Sequence, residues 1–434
     1  MAGEIERLTA RPRLPKTVIG LGLVSLFTDA SSEAIFPLLP AFLTLLGASN
    51  LWIGAIEGAA DFVANVLKYL TGLLADRRER LKPLVLAGYS LSTVVRPLVA
   101  FAVTPWQVLL VRLFDRVGKG VRTSPRDALI AHVTDPSIRG RAYGFHRAMD
   151  HAGAAIGALF SATALFLLGA GLSAESADLG KIRTVFLLAA IPGLFALVAL
   201  ALTPEPPRPL PPQARPRPEP LPRALRSALF ALVLFTFANA TDAFLIVLAT
   251  RLGASPALAP LLWLGLHVIK ASTATIGGTL ADRFGRRNAL ALGWLVYAVT
   301  WGAIGLAVTL PALFLLVGAY GVSHGLVEGA ERALVADLAA GTARGRAFGA
   351  YNMAIGFAAM VASVAFGAIW DAFGTVPAFL GSASFAVVAA VVLLVLVPNK
   401  PSEAPPVDGG TGQSGDAMAA REPADPSSHV ARSR

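Results

Sequence analysis

Apolar residues run through this chain in stretches of about 20 or more, the length an α-helix needs to cross the ~30 Å hydrocarbon layer of a bilayer at ~1.5 Å per residue. They predict helical spans over 18–46, 51–74, 84–103, 106–130, 141–168 and 183–202. A second set is predicted over 225–250, 256–280, 289–309, 312–338, 346–371 and 376–397. Between the sets lies a proline-rich tract from Pro204 to Pro222. Proline lacks the N–H donor and clashes with the preceding turn, so this tract is an extended, solvated connector. Beyond Pro398 the chain is polar, small and rich in Pro and Gly, which predicts disorder. The expected organisation is a cytoplasmic segment 1–17, a six-helix bundle 18–202, a linker 203–224, a second six-helix bundle 225–397 and a tail 398–434. The first apolar stretch carries Asp29 and Glu33 and exceeds the core of a signal peptide, so it reads as a span and not as a cleaved leader.

Composition agrees with a membrane protein. Of 434 residues, 55% are hydrophobic and 15% charged, against roughly 25% charged in a soluble protein. There is too little charge to cover a water-facing surface of this size. The net charge of +10 would suit nucleic acid, but its position excludes that partner: the excess sits in short loops beside apolar runs and in the tails. Alternate loops hold Arg77, Arg78, Arg80 and Lys82, then Arg139 and Arg141, the arginines of the central tract, Arg283, Arg286 and Arg287, then Arg344 and Arg346. The other loops hold only Lys181, Arg183 and Arg251. Positive charge stays inside, so both termini are expected in the cytoplasm and the chain in the inner membrane, as a monomer in the lipid bilayer. Cysteine is absent, which excludes disulfides and thiolate metal sites. P-loop, H-E-x-x-H and G-x-S-x-G patterns are missing, so ATP drive, zinc hydrolysis and serine hydrolysis are not expected, nor any cofactor or metal.

The two halves repeat. Gly72-Leu-Leu-Ala-Asp76-Arg77 matches Gly278-Thr-Leu-Ala-Asp282-Arg283, and Arg139-Gly-Arg-Ala-Tyr-Gly144 matches Arg344-Gly-Arg-Ala-Phe-Gly349. Matches at nearly one offset argue for duplication of a six-helix unit, giving parallel repeats about an axis normal to the membrane. With these motifs the chain resembles the major facilitator superfamily, in its drug/proton antiporter-like branch. The loop after the second helix of each half has that family's G-x-L-A-D-R-x-G-R-R/K pattern. The second copy fits with Gly278, Asp282, Arg283, Gly285, Arg286 and Arg287; the first keeps Gly72, Asp76 and Arg77 but has Glu79 where the second glycine belongs. The resemblance implies an all-α fold of twelve transmembrane helices in two pseudo-symmetric bundles, and a cytoplasmic gate at these residues. Physically, the glycines let helices approach, the aspartate accepts from a helix N-terminus, and the arginines pair with carboxylates across the seam. The simpler alternative is a positive loop that only fixes topology.

Ionisable residues at membrane depth usually face a cavity. Asp29 and Glu33 share one helix face, as do Glu57 and Asp61. Span 4 carries a stripe of Arg112, Asp115, Arg116, Lys119, Arg122 and Arg126, which predicts that this helix lines a water-filled path. Asp150 in span 5, Asp242 in span 7 and Glu328 in span 10 complete the candidates. Span 5, with Gly153 and Gly157, resembles the glycine-rich fifth helix of drug/proton antiporters but lacks its proline. The first half is the more charged, suggesting that it handles protons while the second supplies more of the solute surface. A carboxylate that alternates between a dry cavity and a nearby arginine takes up and releases a proton in each cycle; Asp29 and Glu33 are the candidates. The alternative is a permanent pair of either acid with Arg112 or Arg116, for packing. His151, His267 and His324 read as hydrogen-bonded packing residues, and Trp52, Trp106 and Trp370 as interfacial anchors.

The expected function is transport of a small solute by alternating access, with proton-coupled export first and a proton-coupled importer or facilitator as its alternative. A membrane-embedded enzyme and a transporter-like sensor are the readings from other classes; the duplication and the two loop motifs speak against the enzyme.

Overall fold

The computed structural model describes residues 13–135, 138–170, 178–207, 221–339 and 344–398, with side chains for all of these except 139, 140, 275, 282 and 344–347. The proline-rich tract over 208–220 and the tail from 399 onward lie outside the described residues. Twelve long helical segments follow one another. The first half comprises α1 (Lys16–Leu45), α2 (Asn50–Ala75), α3 (Lys82–Phe101), α4 (Pro105–Val133), α5 (Arg139–Leu167) and α6 (Leu179–Leu202). The second comprises α7 (Arg223–Arg251), α8 (Ala259–Phe284), α9 (Arg286–Gly305), α10 (Leu310–Leu338), α11 (Arg344–Phe373) and α12 (Thr375–Leu396). Ten of the twelve are long and apolar enough to cross a bilayer. The other two, α2 and α4, are as long but too polar to qualify by composition, and these two carry most of the charge described below.

Local chemistry sets the helix ends. Ser49 and Thr309 cap α2 and α10 by accepting from the backbone N–H of Trp52 and Ala312. Pro83, Pro105 and Pro311 sit in first turns, where the missing N–H costs nothing. The two loop motifs differ as their glycines dictate. Gly285, at φ +85°, is the single residue joining α8 to α9, a left-handed conformation that favours glycine. The first copy has Glu79 there and instead uses a longer connection, from Asp76 to Leu81.

Four helices are interrupted, α6 only by a turn at Ala189. In α1 a 3₁₀ turn at Phe36–Leu38 contains Pro37, and in α3 a 3₁₀ stretch at Arg96–Phe101 contains Pro97. In α7 the helix stops at Ala238 and restarts at Ala243, with no proline. The backbone freed by that break is bonded: Ala238 O accepts from Tyr297 Oη at 2.7 Å and from Ser382 Oγ, and Thr241 N donates to Ser363 Oγ at 3.2 Å. Without such partners an unwound segment would be too costly at membrane depth.

Within the first half, α1 packs on α5 and α6, and α4 packs on α2 and α3. In the second, α10 packs on α8 and α9, and α12 on α7 and α9. The halves meet along α2 with α11 and α5 with α8, pairs that the repeat relates to each other. Along α2–α11 the backbones nearly touch: a Cβ on Gly54 would strike the Ser363 carbonyl, and one on Gly367 the Asn50 carbonyl. At the end remote from the termini one apolar cluster draws on both halves, including Leu38, Phe42, Phe244, Phe366 and Trp370. Near the terminus-bearing end the first half keeps its own cluster of Val18, Leu21, Tyr89, Leu129 and Leu200. Trp370 is 1% exposed and stacks among Phe244, Phe366 and Phe379. It is a core residue of this closure and not the interfacial anchor its place near a span end suggested, whereas Trp52 and Trp106 are exposed.

The remote end is also tied by charge. Asp371, in the last turn of α11, accepts from Asn50 N at 3.1 Å, Asn50 Nδ2 at 2.6 Å and Leu51 N at 2.8 Å. A carboxylate of one half thus caps the first helix turn of α2 in the other, where negative charge is favoured. The native chain has no cysteine, so a single cysteine in place of Ala359, which faces the space between the halves, reports access cleanly. Asp371→Asn is expected to raise its labelling by an impermeant maleimide from the remote face about fivefold or more, the lower range of coupling energies between sites; an unchanged rate refutes a latching role.

Candidate functional site

A cavity of about 440 Å³ lies between the halves, within the roughly 300–1,000 Å³ typical of small-molecule sites. Glu33 and Phe36 of α1, Glu57 and Asp61 of α2, and Arg116 and Lys119 of α4 line one wall. The unwound residues Asn239 to Asp242 of α7, Trp263 of α8, and His324 and Glu331 of α10 line the other. A second lobe of about 180 Å³ shares Phe235, Asn239, His324 and Glu331 and extends past Glu328 and Tyr351. The break in α7 therefore places Asn239, Ala240, Thr241 and Asp242 on the cavity wall, the setting in which irregular backbone is tolerated inside a membrane.

Behind the first wall is a buried ionic core. Arg112 donates from Nε to Glu57 Oε1 at 3.0 Å and from Nη2 to Oε2 at 2.5 Å, a bidentate pair. Asp115 accepts from Arg96 Nη2 at 2.9 Å, and Arg96 Nη1 donates to Ser31 Oγ and the Thr28 carbonyl. Arg122 donates to Ser92 Oγ at 2.6 Å, its guanidinium 4.6 Å from the Tyr89 ring centre. Each of these five charged residues is at most 5% exposed. The charged stripe of α4 therefore does not line a watery path along its length. It is wider than the slot that α4 presents: Arg116 and Lys119 reach the cavity, while Arg112, Asp115 and Arg122 point into α2 and α3. Nor do the acids of α1 pair with the arginines of α4 within 4.0 Å. The α2 acids do so, with Arg116 also lying 3.9 Å from Glu57 and 3.8 Å from Asp61.

Glu33 instead accepts from Trp263 Nε1 at 2.8 Å, a bond between the halves. Asp29 has no hydrogen bond to its carboxylate and no cation within 4.0 Å among the described residues, although Asp150, Lys119 and Arg122 lie within electrostatic reach. Asp150 holds Ser25 Oγ, and His146 Nδ1 and Arg147 Nη1 lie 3.5 Å away. Close packing brings these α1 and α5 groups together: Gly153 and Gly157 lie against the Leu26 and Ala30 carbonyls of α1. Arg147 also bridges the halves, its Nη2 2.6 Å from Glu328 Oε1.

The second half has its own network. Lys270 Nζ is 2.9 Å from Asp242 Oδ2, Tyr320 Oη donates to Oδ1 at 2.5 Å, and His324 Nε2 lies 2.8 Å from Tyr320 Oη. His324 is thus hydrogen-bonded as a packing residue would be. His151 and His267 face each other across the halves at 6.5 Å between ring centres, with both ring nitrogens of His267 unpartnered among the described residues.

The loop-motif residues sit together at the terminus-bearing end. Asp76 and Arg77 end α2 and are exposed, as is Arg283 at the end of α8; the side chain of Asp282 lies outside the described ones. A Cβ on Gly72 would meet Ser124 at an ordinary 3.7 Å, and one on Gly278 would meet nothing, so neither glycine is forced by a close approach here. The basic residues bind within their own half. Arg286 pairs with Asp337 at 2.6 Å, and Arg287 Nη1 donates to the carbonyls of Val397 at 2.9 Å and Leu394 at 3.3 Å at the end of α12. Its repeat equivalent Lys82 donates to the carbonyls of Thr203 at 2.6 Å and Ala201 at 3.0 Å at the end of α6. Each half thus caps its sixth helix with a cation from the start of its third, where positive charge is favoured.

Sequence reasoning passed over Arg96, His146, Trp263, Tyr320, Tyr351 and Asp371. Arg96 carried a usable signal, a charge inside an apolar span. The aromatic residues carried none, because most aromatics in apolar helices are core.

Comparison with known proteins agrees with this architecture. Residues 21–266 and 228–433 match the Major Facilitator Superfamily. An MFS-type transporter of Methanocaldococcus jannaschii is 29% identical over 391 residues, covering 88% of this chain and 95% of its own length. Multidrug resistance protein MdtH of Yersinia pestis is 27% identical over 341 residues, 73% of this chain and 77% of its own. The crystal structure of a D-xylose–proton symporter superposes with a TM-score of 0.70 over 88% of this chain and 98% of the symporter, at 17% identity. Family match, twelve helices in two related halves and a charged cavity between them lead to one conclusion: the chain belongs to the Major Facilitator Superfamily.

Proposed function

We propose that the chain is a secondary active transporter that exports a small organic solute in exchange for protons, by alternating exposure of its central cavity to the two faces of the membrane. Asp29 carries this reading. It is a carboxylate at membrane depth without a hydrogen-bond donor or a cation within 4.0 Å among the described residues, within electrostatic reach of Asp150, Lys119, Glu33 and Arg122. Such a group is too costly to keep for packing alone. A proton taken and released in each cycle gives it a partner, and Glu33, held by Trp263 of the other half, is placed to relay the change between halves. Export is favoured by the likeness to a protein named for multidrug resistance.

In this reading both termini, the linker 203–224 and the tail 398–434 face the cytoplasm, and the protein acts as a monomer in the inner membrane, without enzymatic activity. The structure corresponds to a state closed at the remote face. When that face opens, Asp76–Arg77 and Asp282–Arg283 would close the cytoplasmic one, and Arg147–Glu328, already 2.6 Å apart, would be kept.

Inside-out vesicles energised with a proton gradient test the coupling. A panel of cationic, neutral and anionic solutes is added while a pH-sensitive dye is read. A solute that collapses the gradient in wild type is expected to have no effect in Asp29→Asn and a weakened one in Glu33→Gln. Should labelled solute equilibrate with no proton movement in wild type, the coupling is refuted and a facilitator remains. The ionic core behind the wall is expected to behave differently. Glu57→Gln leaves buried Arg112 only Asp115, at 3.8 Å and shared with Arg96, so thermal unfolding in detergent should show a loss of about 3 kcal/mol, while Asp29→Asn keeps wild-type stability.

A further inference from the structure

We infer that the transported solute is a zwitterion with separated charges, its carboxylate on Lys119 of α4 and its ammonium on Glu331 of α10. This rests on the cavity being the solute site, as proposed above, but not on proton coupling.

Most charges at the cavity are already neutralised inside the protein. Glu57 is held by Arg112, Asp242 by Lys270 and Tyr320, and Arg116 lies between Glu57 and Asp61. Glu33, which also lines the cavity, is bonded to Trp263 Nε1; besides it two opposite charges remain, one from each half. Lys119 lines the cavity with no carboxylate within 4.0 Å of its ammonium among the described residues. Glu331 lies where the two lobes join, and its Oε1 accepts only from Tyr351 Oη, at 2.6 Å, with no cation within 4.0 Å among the described residues. The phenol fixes the carboxylate's orientation and leaves Oε2 free to accept from a solute.

An ammonium and a carboxylate held apart at membrane depth, each without a counter-ion, are costly to an empty protein. A ligand that supplies both counter-ions removes both costs at once. A cation alone would leave Lys119 bare, and an anion alone would leave Glu331 bare. The two groups also sit on α4 and α10, the repeat-related helices of opposite halves. A solute bonded to both ties the halves together, which is the contact that alternating access must make and break. The cavity also carries aromatic rings, Phe36 and Trp263 at 4.8 Å between ring centres and Phe235 elsewhere in its lining. A flat apolar spacer between the charges suits that surface better than a polar one.

Three matched probes read this without a gradient, by calorimetry on the purified full-length protein in nanodiscs. They are the zwitterion 4-(aminomethyl)phenylacetate, the cation 4-ethylbenzylamine and the anion 4-ethylphenylacetate. The zwitterion is expected to bind wild type about tenfold or more tighter than either, the worth of one charge-assisted hydrogen bond. Lys119→Gln should erase its advantage over the cation while keeping that over the anion, and Glu331→Gln the reverse; Lys119→Arg should retain both. The reciprocal loss of preference in two variants distinguishes recognition from general damage to the fold. Equal or tighter binding of the cation or the anion, or no binding of the zwitterion, overturns the inference. Loss of proton coupling in vesicles would leave these affinities unchanged, so the two proposals fail separately.

Discussion

The bidentate pair of Arg112 with Glu57 is the contact around which the first half is organised. Two charges at this depth are tolerated only when they face each other and are closed off from lipid. That requirement presses α4 against α2, and the neighbouring Arg96–Asp115 pair presses it against α3. Neither α2 nor α4 is apolar enough to enter a bilayer on composition alone. Their place in the membrane follows from the partner each provides for the other.

The same constraint explains the second half. Asp242 lies at the break in α7, and its bonds to Lys270 and Tyr320 tie the unwound segment to α8 and α10. The break is kept open by hydrogen bonds from Tyr297, Ser382 and Ser363. In both halves, therefore, a polar network ties the cavity wall together.

The halves are joined by contacts of a different kind. Along α2–α11 the seam rests on backbone packing at Gly54, Gly58 and Gly367, small residues that let helices approach closely. The polar contacts between the halves are few among the described residues: Asp371 at the remote end, Glu33–Trp263 in the middle and Arg147–Glu328 toward the termini. None of them belongs to the ionic core behind the first wall.

Much of this was legible in the sequence. Twelve apolar stretches, the repeat between Asp76 and Asp282, and the paired loop motifs determine the fold family, because the bilayer allows few ways to satisfy a helical backbone. The presence of Asp29, Glu33, Glu57 and the α4 charges at membrane depth was equally plain. Their pairing was not. Helical spacing places residues on a face but does not say which neighbour that face meets, so the alternative that paired an α1 acid with Arg112 or Arg116 fails: the packing gives both arginines to the α2 acids. The break at Asn239–Asp242 has no proline or glycine to announce it, and only the hydrogen bonds of α9, α11 and α12 make it stable. Trp370 looked like an anchor because sequence gives depth along a helix and not its orientation. Sequence by itself determined which charges lie within the membrane; tertiary packing decided which are neutralised and which, like Asp29, Lys119 and Glu331, are left without an oppositely charged partner within 4.0 Å among the described residues.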